Sequence, residues 1–430
     1  MKFCIYNLGC KVNAYEAESI SEELIKENWE RVDEESAADA VLIFTCAVTN
    51  TAAAKSRKVL HKAKRLNDKA VTVVAGCYAQ INDGMLDGAD ILVGSAHKKD
   101  IPLYLNQFLK DGKKIRALEN LDHAEFENLP ADHFENHSRG VLKIQDGCNQ
   151  FCAYCIIPYA RGRERSLAPD LVIAEAKKIA ERHSEIVLTG IHTGRYGREY
   201  GVTLTQLLER ILEEVPSIKR LRISSIEVTE LSDEFIALMK REKRIARHLH
   251  IPLQAGCDKT LKNMGRPYDT AAYYDKIERI RREIPDVAIS CDIMVGFPSE
   301  SDADFEESYA FLKKCRFSFL HVFPFSLREG TRAADMPCQI DPAVKKERAA
   351  KCIALSRELE KDYWQSWIGK DAEVISEKVH DGYTPGYTSQ YIPVRMEGIE
   401  LPRGSFVKVK MSRYSEEAVF AEMRQSHEII

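Results

Sequence analysis

Residues 148–155 read CNQFCAYC and place three cysteines in the spacing C-x3-C-x2-C. On a helix these offsets would form one buried stripe of small hydrophobic side chains. The flanking residues favour a loop instead, because Gly147 and Asn149 are typical of turns and Pro158 breaks a helix. The apolar segment 141–144, just before, has the pattern of a strand. The sequence therefore predicts a strand that ends in a loop carrying three thiol groups.

Three thiolates in one loop bind three irons of a [4Fe-4S] cluster and leave the fourth iron open to another ligand. Zinc is the alternative metal, but zinc sites usually pair two C-x2-C knuckles, and the sequence has no second pair. The spacing, with an aromatic residue before the last cysteine, resembles the signature of radical S-adenosylmethionine (SAM) enzymes. This resemblance implies that Cys148, Cys152 and Cys155 hold the cluster, that SAM binds the open iron, and that Tyr154 lies beside the adenine. Electron transfer from the cluster would then release a 5′-deoxyadenosyl radical from SAM.

Length and charge set limits on the class of protein. A chain of 430 residues with 44% hydrophobic residues has enough for two or three packed domains. The net charge of -4 gives no general attraction to nucleic acid, so any RNA contact must be a local patch. Twelve cysteines in so long a chain suit metal ligation in a reducing compartment better than a disulfide scaffold. With no signal peptide and no apolar run of ~20 residues, the sequence predicts a cytoplasmic protein without a membrane contact.

The first 125 residues have the pattern of a doubly wound α/β domain with a parallel sheet. Helical patterns at residues 16–27 and 52–66 alternate with apolar segments typical of strands. Three of these segments end in a cysteine, at residues 3–10, 41–46 and 71–77. Because the carboxyl ends of parallel strands share one edge, Cys10, Cys46 and Cys77 are expected to converge there. The alternative is three small buried residues at strand ends.

The segments LGCKVNAYEAE at residues 8–18 and TCAVTN at residues 45–50 resemble the methylthiotransferases. They are most similar to the branch that acts on N6-threonylcarbamoyladenosine at position 37 of tRNA. The isopentenyladenosine branch typically has Gln-Met-Asn in place of Lys11, Val12 and Asn13, and the branch that modifies a ribosomal-protein aspartate usually has Asp where Glu16 falls. The resemblance implies that Cys10, Cys46 and Cys77 hold a second [4Fe-4S] cluster, which carries the sulfur to be transferred.

Six strand-like segments separated by helical patterns follow, and they predict an open, partial (βα)6 barrel. They lie at residues 141–144, 185–189, 220–225, 248–252, 288–295 and 317–323. A connection precedes them at residues 120–138, which include Asp132 and Asn136. By resemblance to radical SAM barrels, strand ends supply further SAM contacts, at Gly190, Ser225 and Gln254.

Two clusters of basic residues have two interpretations each. Lys55, Arg57 and Lys58 open a run of six cations, completed by Lys62, Lys64 and Arg65, which is either a solvated helix face or a contact for tRNA phosphates. Arg161, Arg163 and Arg165 follow the cysteine loop and form either a phosphate contact or a solvent-facing turn.

Short alternating runs after residue 365 predict a small β-barrel. Residues 386–394, GYTSQYIPV, resemble the RNA-binding TRAM module. Exposed Tyr387 and Tyr391 would then stack on bases, and Lys408 and Lys410 would contact phosphates. The alternative is a barrel that serves only as a packing platform.

Together these features predict three domains: an N-terminal methylthiotransferase domain (1–125), a radical SAM core (126–364) and a TRAM-like domain (365–430). The expected activity is insertion of a methylthio group at C2 of N6-threonylcarbamoyladenosine 37. The alternatives are the same chemistry on isopentenyladenosine or on a ribosomal-protein aspartate, and a non-catalytic iron-sulfur RNA-binding protein. The family also implies an electron donor such as flavodoxin or ferredoxin, while the sulfur donor stays open.

Overall fold

The computed structural model of the chain describes residues 1–131, 134 and 137–424, so Asp132 and Asn136 of the predicted connection lie outside it. Its N-terminal part is a parallel sheet flanked by helices, as predicted. The strands are β1 (Lys2–Asn7), β2 (Glu30–Arg31), β3 (Ala40–Thr45), β4 (Val71–Gly76), β5 (Ile91–Val93) and β6 (Ile115–Ala117), in the spatial order β2-β1-β3-β4-β5-β6. The helices are α1 (Lys11–Lys26), α2 (Asn50–Leu66), α3 (Cys77–Ile81) and α4 (Ile101–Asp111).

The central strands β3 and β4 are buried along their whole length, since helices or other core elements cover both faces of the sheet. One face joins the core of the following barrel, and Leu60 of α2 belongs to the core of the other face. The three cysteines predicted at strand ends lie just beyond the strands. Thus Cys10 precedes α1, Cys46 follows β3, and Cys77 begins α3.

The middle of the chain forms the predicted partial (βα)6 barrel. Its strands are β7 (Gly140–Lys143), β10 (Glu185–Thr189), β11 (Arg220–Ile223), β12 (His248–His250), β13 (Ala288–Val295) and β14 (Phe319–Pro324), while β8 (Gln145–Asp146) and β9 (Arg165–Ser166) pair antiparallel across the cysteine loop. The helices are α5 (Ile157–Arg161), α6 (Pro169–Ala180), α7 (Leu204–Glu214), α8 (Asp233–Arg241), α9 (Asp258–Met264), α10 (Thr270–Glu283), α11 (Asp302–Cys315) and α12 (Pro342–Gln365).

The six barrel strands form two parallel halves, β11-β10-β7 and β12-β13-β14. A single parallel bridge between Leu221 and Ile245 links the halves. Parallel strands place all their carboxyl ends at one mouth of the barrel. The cysteine loop and the ends of the other strands therefore surround a common space.

The tail is a closed five-stranded barrel, as predicted. Its strands β15 (Asp371–Ser376), β16 (Tyr383–Thr388), β17 (Pro393–Glu397), β18 (Phe406–Tyr414) and β19 (Val419–Met423) are ordered β15-β16-β17-β19-β18. Trp364 and Trp367, at and just beyond the end of α12, pack into its core. Arg222 of β11 donates hydrogen bonds to the carbonyls of Thr388 and Ser389, so the tail is fastened directly to a barrel strand. Among the described helices, none has the length and apolar character to cross a membrane.

Candidate active site between two sets of cysteines

We call Cys148, Cys152 and Cys155 the barrel trio. Backbone hydrogen bonds hold its loop in a fixed, non-helical path, from Cys148 N to the Gly162 carbonyl (3.0 Å) and from Ala153 N to the Met264 carbonyl (2.8 Å). The turn into the loop requires a glycine at position 147. Gly147 has φ +69°, and a Cβ atom there would lie 1.9 Å from the Arg163 carbonyl oxygen. The loop predicted from the sequence is therefore built on local backbone constraints.

The barrel trio lines a cavity of about 290 Å³. Three of the four residues predicted to contact SAM, Tyr154, Ser225 and Gln254, line the same cavity. Gly190 does not, and instead lines a second, larger cavity. A Cβ atom at Gly190 would lie 3.0 Å from Cβ of Gln145, which leaves no room for a side chain between β10 and the cysteine loop.

Four polar residues beside the barrel trio were not predicted as site residues from the sequence. The Arg266 guanidinium donates to Cys152 Sγ (3.3 Å) and pairs with Glu227. His192 Nδ1 lies 3.4 Å from Cys148 Sγ, and its Nε2 lies 3.0 Å from Glu230. Burial opposes protonation of His192, but the contacts with Cys148 and Glu230 outweigh it and raise the pKa to about 9. Cationic groups on two of the three sulfurs favour thiolates over thiols.

Burial by itself works against thiolates in this loop. It raises the pKa of Cys155 to about 12 and also raises the pKa of Cys152, although Arg266 partly offsets the effect at Cys152. Buried thiols of this kind lose their protons when a metal binds. A soft sulfur donor set, with nearby cations and a cavity in front of it, fits an iron-sulfur cluster.

We call Cys10, Cys46 and Cys77 the sheet trio, because they follow β1, β3 and β4 at the same edge of the sheet. Burial raises the pKa of Cys46 to about 11, and the charges of Cys77 and Cys10 add to this, so the three thiols are close enough to influence one another. Gly76 precedes Cys77 with φ +102°, a conformation that favours glycine. Asn13 Nδ2 donates to the Thr45 carbonyl (2.7 Å) and ties α1 to the end of β3.

Arg161 connects the sheet trio to Asp146, which lies two residues before the barrel trio. It is 0% exposed, its Nε donates to Cys77 Sγ (3.2 Å), and its Nη1 donates to Glu16 (2.8 Å) and Asp146. Lys143 completes this buried network, with Nζ 2.7 Å from both Glu16 and Asp146. The prediction of a phosphate contact or a solvent-facing turn is therefore wrong for Arg161, and for the buried Arg165 as well.

A [4Fe-4S] cluster and a single metal ion require different arrangements of their ligands. Over residues 1–131, 134 and 137–424, no group of three His, Cys, Asp or Glu side chains is arranged to hold one ion. A [4Fe-4S] cube attaches each thiolate to its own iron, so its ligands need not meet at one point. The donor types and their surroundings are the features that fit the cluster.

The larger cavity, of about 730 Å³, lies between the sheet trio and the barrel. Cys10 forms part of its wall, and it shares Ser225 and Asp292 with the smaller cavity that contains the barrel trio. The two cavities therefore adjoin. A group in the larger cavity would have Cys10 on one side and the smaller cavity on the other.

Tyr387 and Tyr391 are half-buried and line the larger cavity, so the prediction that they are exposed is wrong. Their rings lie 5.3 Å apart, and Arg139 covers both at 5.0 and 5.4 Å. Lys408 and Lys410 are exposed on β18 and paired in register with Glu373 and Asp371 of β15. The two parts of the predicted RNA contact in the tail thus lie on different surfaces.

On α2, the structure gives half of the six cations a partner within the protein. Lys62 pairs with Glu35 (2.6 Å), Lys64 pairs with Asp90 (2.8 Å), and Arg57 donates to the Tyr78 hydroxyl. Lys55 and Lys58 are exposed. The helix therefore combines structural ion pairs with cations that face solvent.

A partial (βα)6 barrel with three cysteines in the loop after its first strand is the architecture of a radical SAM enzyme. A sequence model of the Radical SAM superfamily matches residues 142–312, and one of the Uncharacterized protein family UPF0004 matches residues 2–93. The chain is 40% identical to the threonylcarbamoyladenosine tRNA methylthiotransferase MtaB of Bacillus subtilis, over 94% of this chain and 92% of that protein. It belongs to the radical SAM methylthiotransferase family.

Other relatives carry two different names. MtaB of Thermotoga maritima is 33% identical, over 97% of this chain and 96% of that protein. A tRNA-2-methylthio-N(6)-dimethylallyladenosine synthase of Clostridium botulinum is also 33% identical, over 95% and 94%. The radical SAM methyltransferase TsrM of Kitasatospora setae has the same fold, with a TM-score of 0.58 at 14% identity over 77% of this chain and 74% of that one. The cofactors of this family are two [4Fe-4S] clusters and SAM, and both trios have the chemistry to hold a cluster.

Proposed function

We propose that this protein is a tRNA (N6-L-threonylcarbamoyladenosine(37)-C2)-methylthiotransferase. The observation that carries the proposal is the pair of adjoining cavities, one lined by the barrel trio and the other by Cys10 of the sheet trio. A methylthio transfer requires a radical source and a sulfur source on either side of one substrate carbon. The relatives named MtaB support the choice of substrate, with Bacillus subtilis MtaB at 40% identity.

Each trio has its own task in this proposal. When bound, the cluster on the barrel trio supplies the electron that cleaves SAM, and the cluster on the sheet trio carries the sulfur that is transferred. Tyr154, Ser225 and Gln254 line the space for SAM. Gly190 is needed because a side chain at this position would collide with Gln145. Ser225 and Asp292 line both cavities, so a radical formed in the smaller cavity would enter the larger one beside them.

The larger cavity would receive the flipped-out adenine. Tyr387 and Tyr391 offer aromatic faces there, and stacking on such faces is how proteins hold an extruded base. The tail barrel then covers the site and excludes water. This role combines the two predicted ones, since its tyrosines stack on the base and its barrel packs against the core. Because C2 of adenine bears an unreactive aromatic C–H bond, the reaction needs a radical in place of acid-base catalysis.

The tRNA backbone would contact cations outside the cavity. Lys55 and Lys58 are exposed on α2, which begins four residues after Cys46 and also carries Arg57, and Lys408 and Lys410 are exposed on the tail. Phosphate contacts of this kind contribute affinity without sequence selectivity. We place the domain boundaries at 1–125, 126–364 and 365–430; β6 ends at Ala117 and α12 ends at Gln365. A reduced flavodoxin or ferredoxin in the cytoplasm would supply the electrons.

Nucleoside mass spectrometry of tRNA from a deletion strain tests the substrate. Loss of 2-methylthio-N6-threonylcarbamoyladenosine, restored by the gene on a plasmid, supports the proposal, and its persistence contradicts it. Loss of the 2-methylthio derivative of dimethylallyladenosine instead would assign the activity of the Clostridium relative. Anaerobic incubation with SAM and dithionite tests for an enzyme, since a non-catalytic iron-sulfur protein forms no 5′-deoxyadenosine.

A further inference from the structure

Among the residues that the structure describes, Lys11 has no counter-ion, and it lies at the wall of the larger cavity. It is the first residue of α1, directly after Cys10, and it lines the cavity. Within the part of the chain that the structure describes, its ammonium makes no hydrogen bond and no ion pair. The charged or polar groups that act on it are Tyr391, Arg222, Arg139 and its chain neighbour Cys10. A cation that faces a cavity and has no partner is suited to bind an anion.

The protein behind this wall carries an excess of positive charge. Arg222 Nε lies 2.8 Å from Glu185 and Arg220 Nη1 lies 3.1 Å from the other oxygen of the same carboxylate. Arg139 Nη2 lies 2.8 Å from Glu377. Three arginines thus share two carboxylates, so these acids do not also neutralise Lys11.

Of the acids that line the cavity, Asp292 has a partner and Glu360 has a raised pKa. Asp292 lies 3.1 Å from His250 Nε2, and burial raises the pKa of Glu360. The pKa of His248 is lowered well below its usual value by burial first, and then by Arg222, His250 and Lys11. The charges of Lys11 and Arg222 both reach His248 on this wall, and cations there favour a substrate group with a negative charge.

We propose that Lys11 binds the carboxylate of the threonylcarbamoyl group of the substrate and so determines substrate specificity; this inference rests on the proposed function. The threonylcarbamoyl group carries a free carboxylate, whereas a dimethylallyl group at the same nitrogen is a neutral hydrocarbon. An ammonium in a partly desolvated cavity gains a charge-assisted hydrogen bond from the first and nothing from the second. Lys11 acts as a specificity residue and does not have to touch C2 of the adenine.

The test compares anticodon stem-loop RNAs that differ in one charge. One carries N6-threonylcarbamoyladenosine, the second carries its neutral carboxamide, and the third carries unmodified adenosine. Fluorescence anisotropy under anaerobic conditions gives their Kd values for the full, reconstituted wild-type protein and for Lys11→Gln, Lys11→Arg and Lys113→Gln. Lys113 is an exposed lysine in the same domain and serves as the matched control.

We expect wild type and Lys113→Gln to bind the carboxylate RNA about tenfold to a hundredfold more tightly than the carboxamide RNA. Lys11→Gln should bind both equally, and Lys11→Arg should keep most of the preference because it keeps the charge. Iron content and circular dichroism confirm that each variant is folded. If Lys11→Gln still prefers the carboxylate as wild type does, the inference is overturned while the proposed function stands. If wild type forms no methylthiolated product from the first RNA and binds it no better than the third, the proposed function itself fails.

Discussion

Replacement of Arg161 by glutamine is the most informative perturbation of the buried network that joins Cys77 of the sheet trio to Asp146. Its guanidinium contacts Cys77, Glu16 and Asp146 with 0% exposure, so the variant leaves two buried carboxylates short of a cation. Breaking a buried ion pair by removing one partner costs about 3–5 kcal/mol. Lys143 stays within 2.7 Å of both carboxylates, so we expect a loss near the lower end, about 3 kcal/mol.

Arg163→Gln is the matched control, because it removes the same side chain two positions away on the surface. Arg163 is 52% exposed and lies 3.7 Å from the exposed Asp122. A pair of this type contributes about 0–1 kcal/mol. Urea unfolding of both full-length variants, in the reduced apo form, measures the two losses by the shift of the transition midpoint.

A second readout separates a structural from an electronic role. Because Arg161 donates to Cys77 Sγ, Arg161→Gln should alter the electron paramagnetic resonance signal of the cluster on the sheet trio and leave that of the barrel trio unchanged. Arg161→Lys keeps the charge but not the several N–H donors of the guanidinium. Its signal should therefore lie between the signals of wild type and Arg161→Gln. Equal urea midpoints for Arg161→Gln and Arg163→Gln would refute the reasoning.

Three further outcomes are expected. Cys77→Ala should lose about half of the iron and all methylthio transfer while still forming 5′-deoxyadenosine, whereas Cys148→Ala should form none; equal loss of 5′-deoxyadenosine in both contradicts separate roles. Lys58→Glu should weaken tRNA binding severalfold and reduce its salt dependence in anisotropy titrations, in contrast to Lys113→Glu; identical salt slopes would remove α2 from the interface. Glu185→Gln leaves Arg220 and Arg222 without their shared carboxylate and should cost about 3–5 kcal/mol in urea unfolding; a loss below about 1 kcal/mol would show that the tail carbonyls suffice.

Much of the fold followed from local pattern. The alternation of strands and helices predicted both the N-terminal sheet and the barrel, and β10 and β13 begin and end at the predicted residues. The loop of the barrel trio was also predictable, because turn residues and a proline act over a few positions. The tail barrel followed from its turn-rich alternation.

Errors arose where a side chain's environment depends on distant elements. Arg161 and Arg165 had the pattern of a phosphate contact or a solvent-facing turn but are buried. Tyr387 and Tyr391 were expected to be exposed, yet packing of the tail turns them toward the cavity. Arg266 and His192 gave no local signal, because they reach the barrel trio from loops more than forty residues away in the chain.

The sequence by itself determined which sulfur atoms are grouped in one loop and which follow parallel strands, since spacing and hydrophobic period act within single elements. Tertiary structure decided which charged side chains lie beside these sulfur atoms and which cavity they face. Arg161 meets Asn13 across 148 residues of chain, and Lys11 faces a cavity whose other walls come from the barrel and the tail. Such contacts depend on how whole elements pack together, and no pattern within one element contains that information.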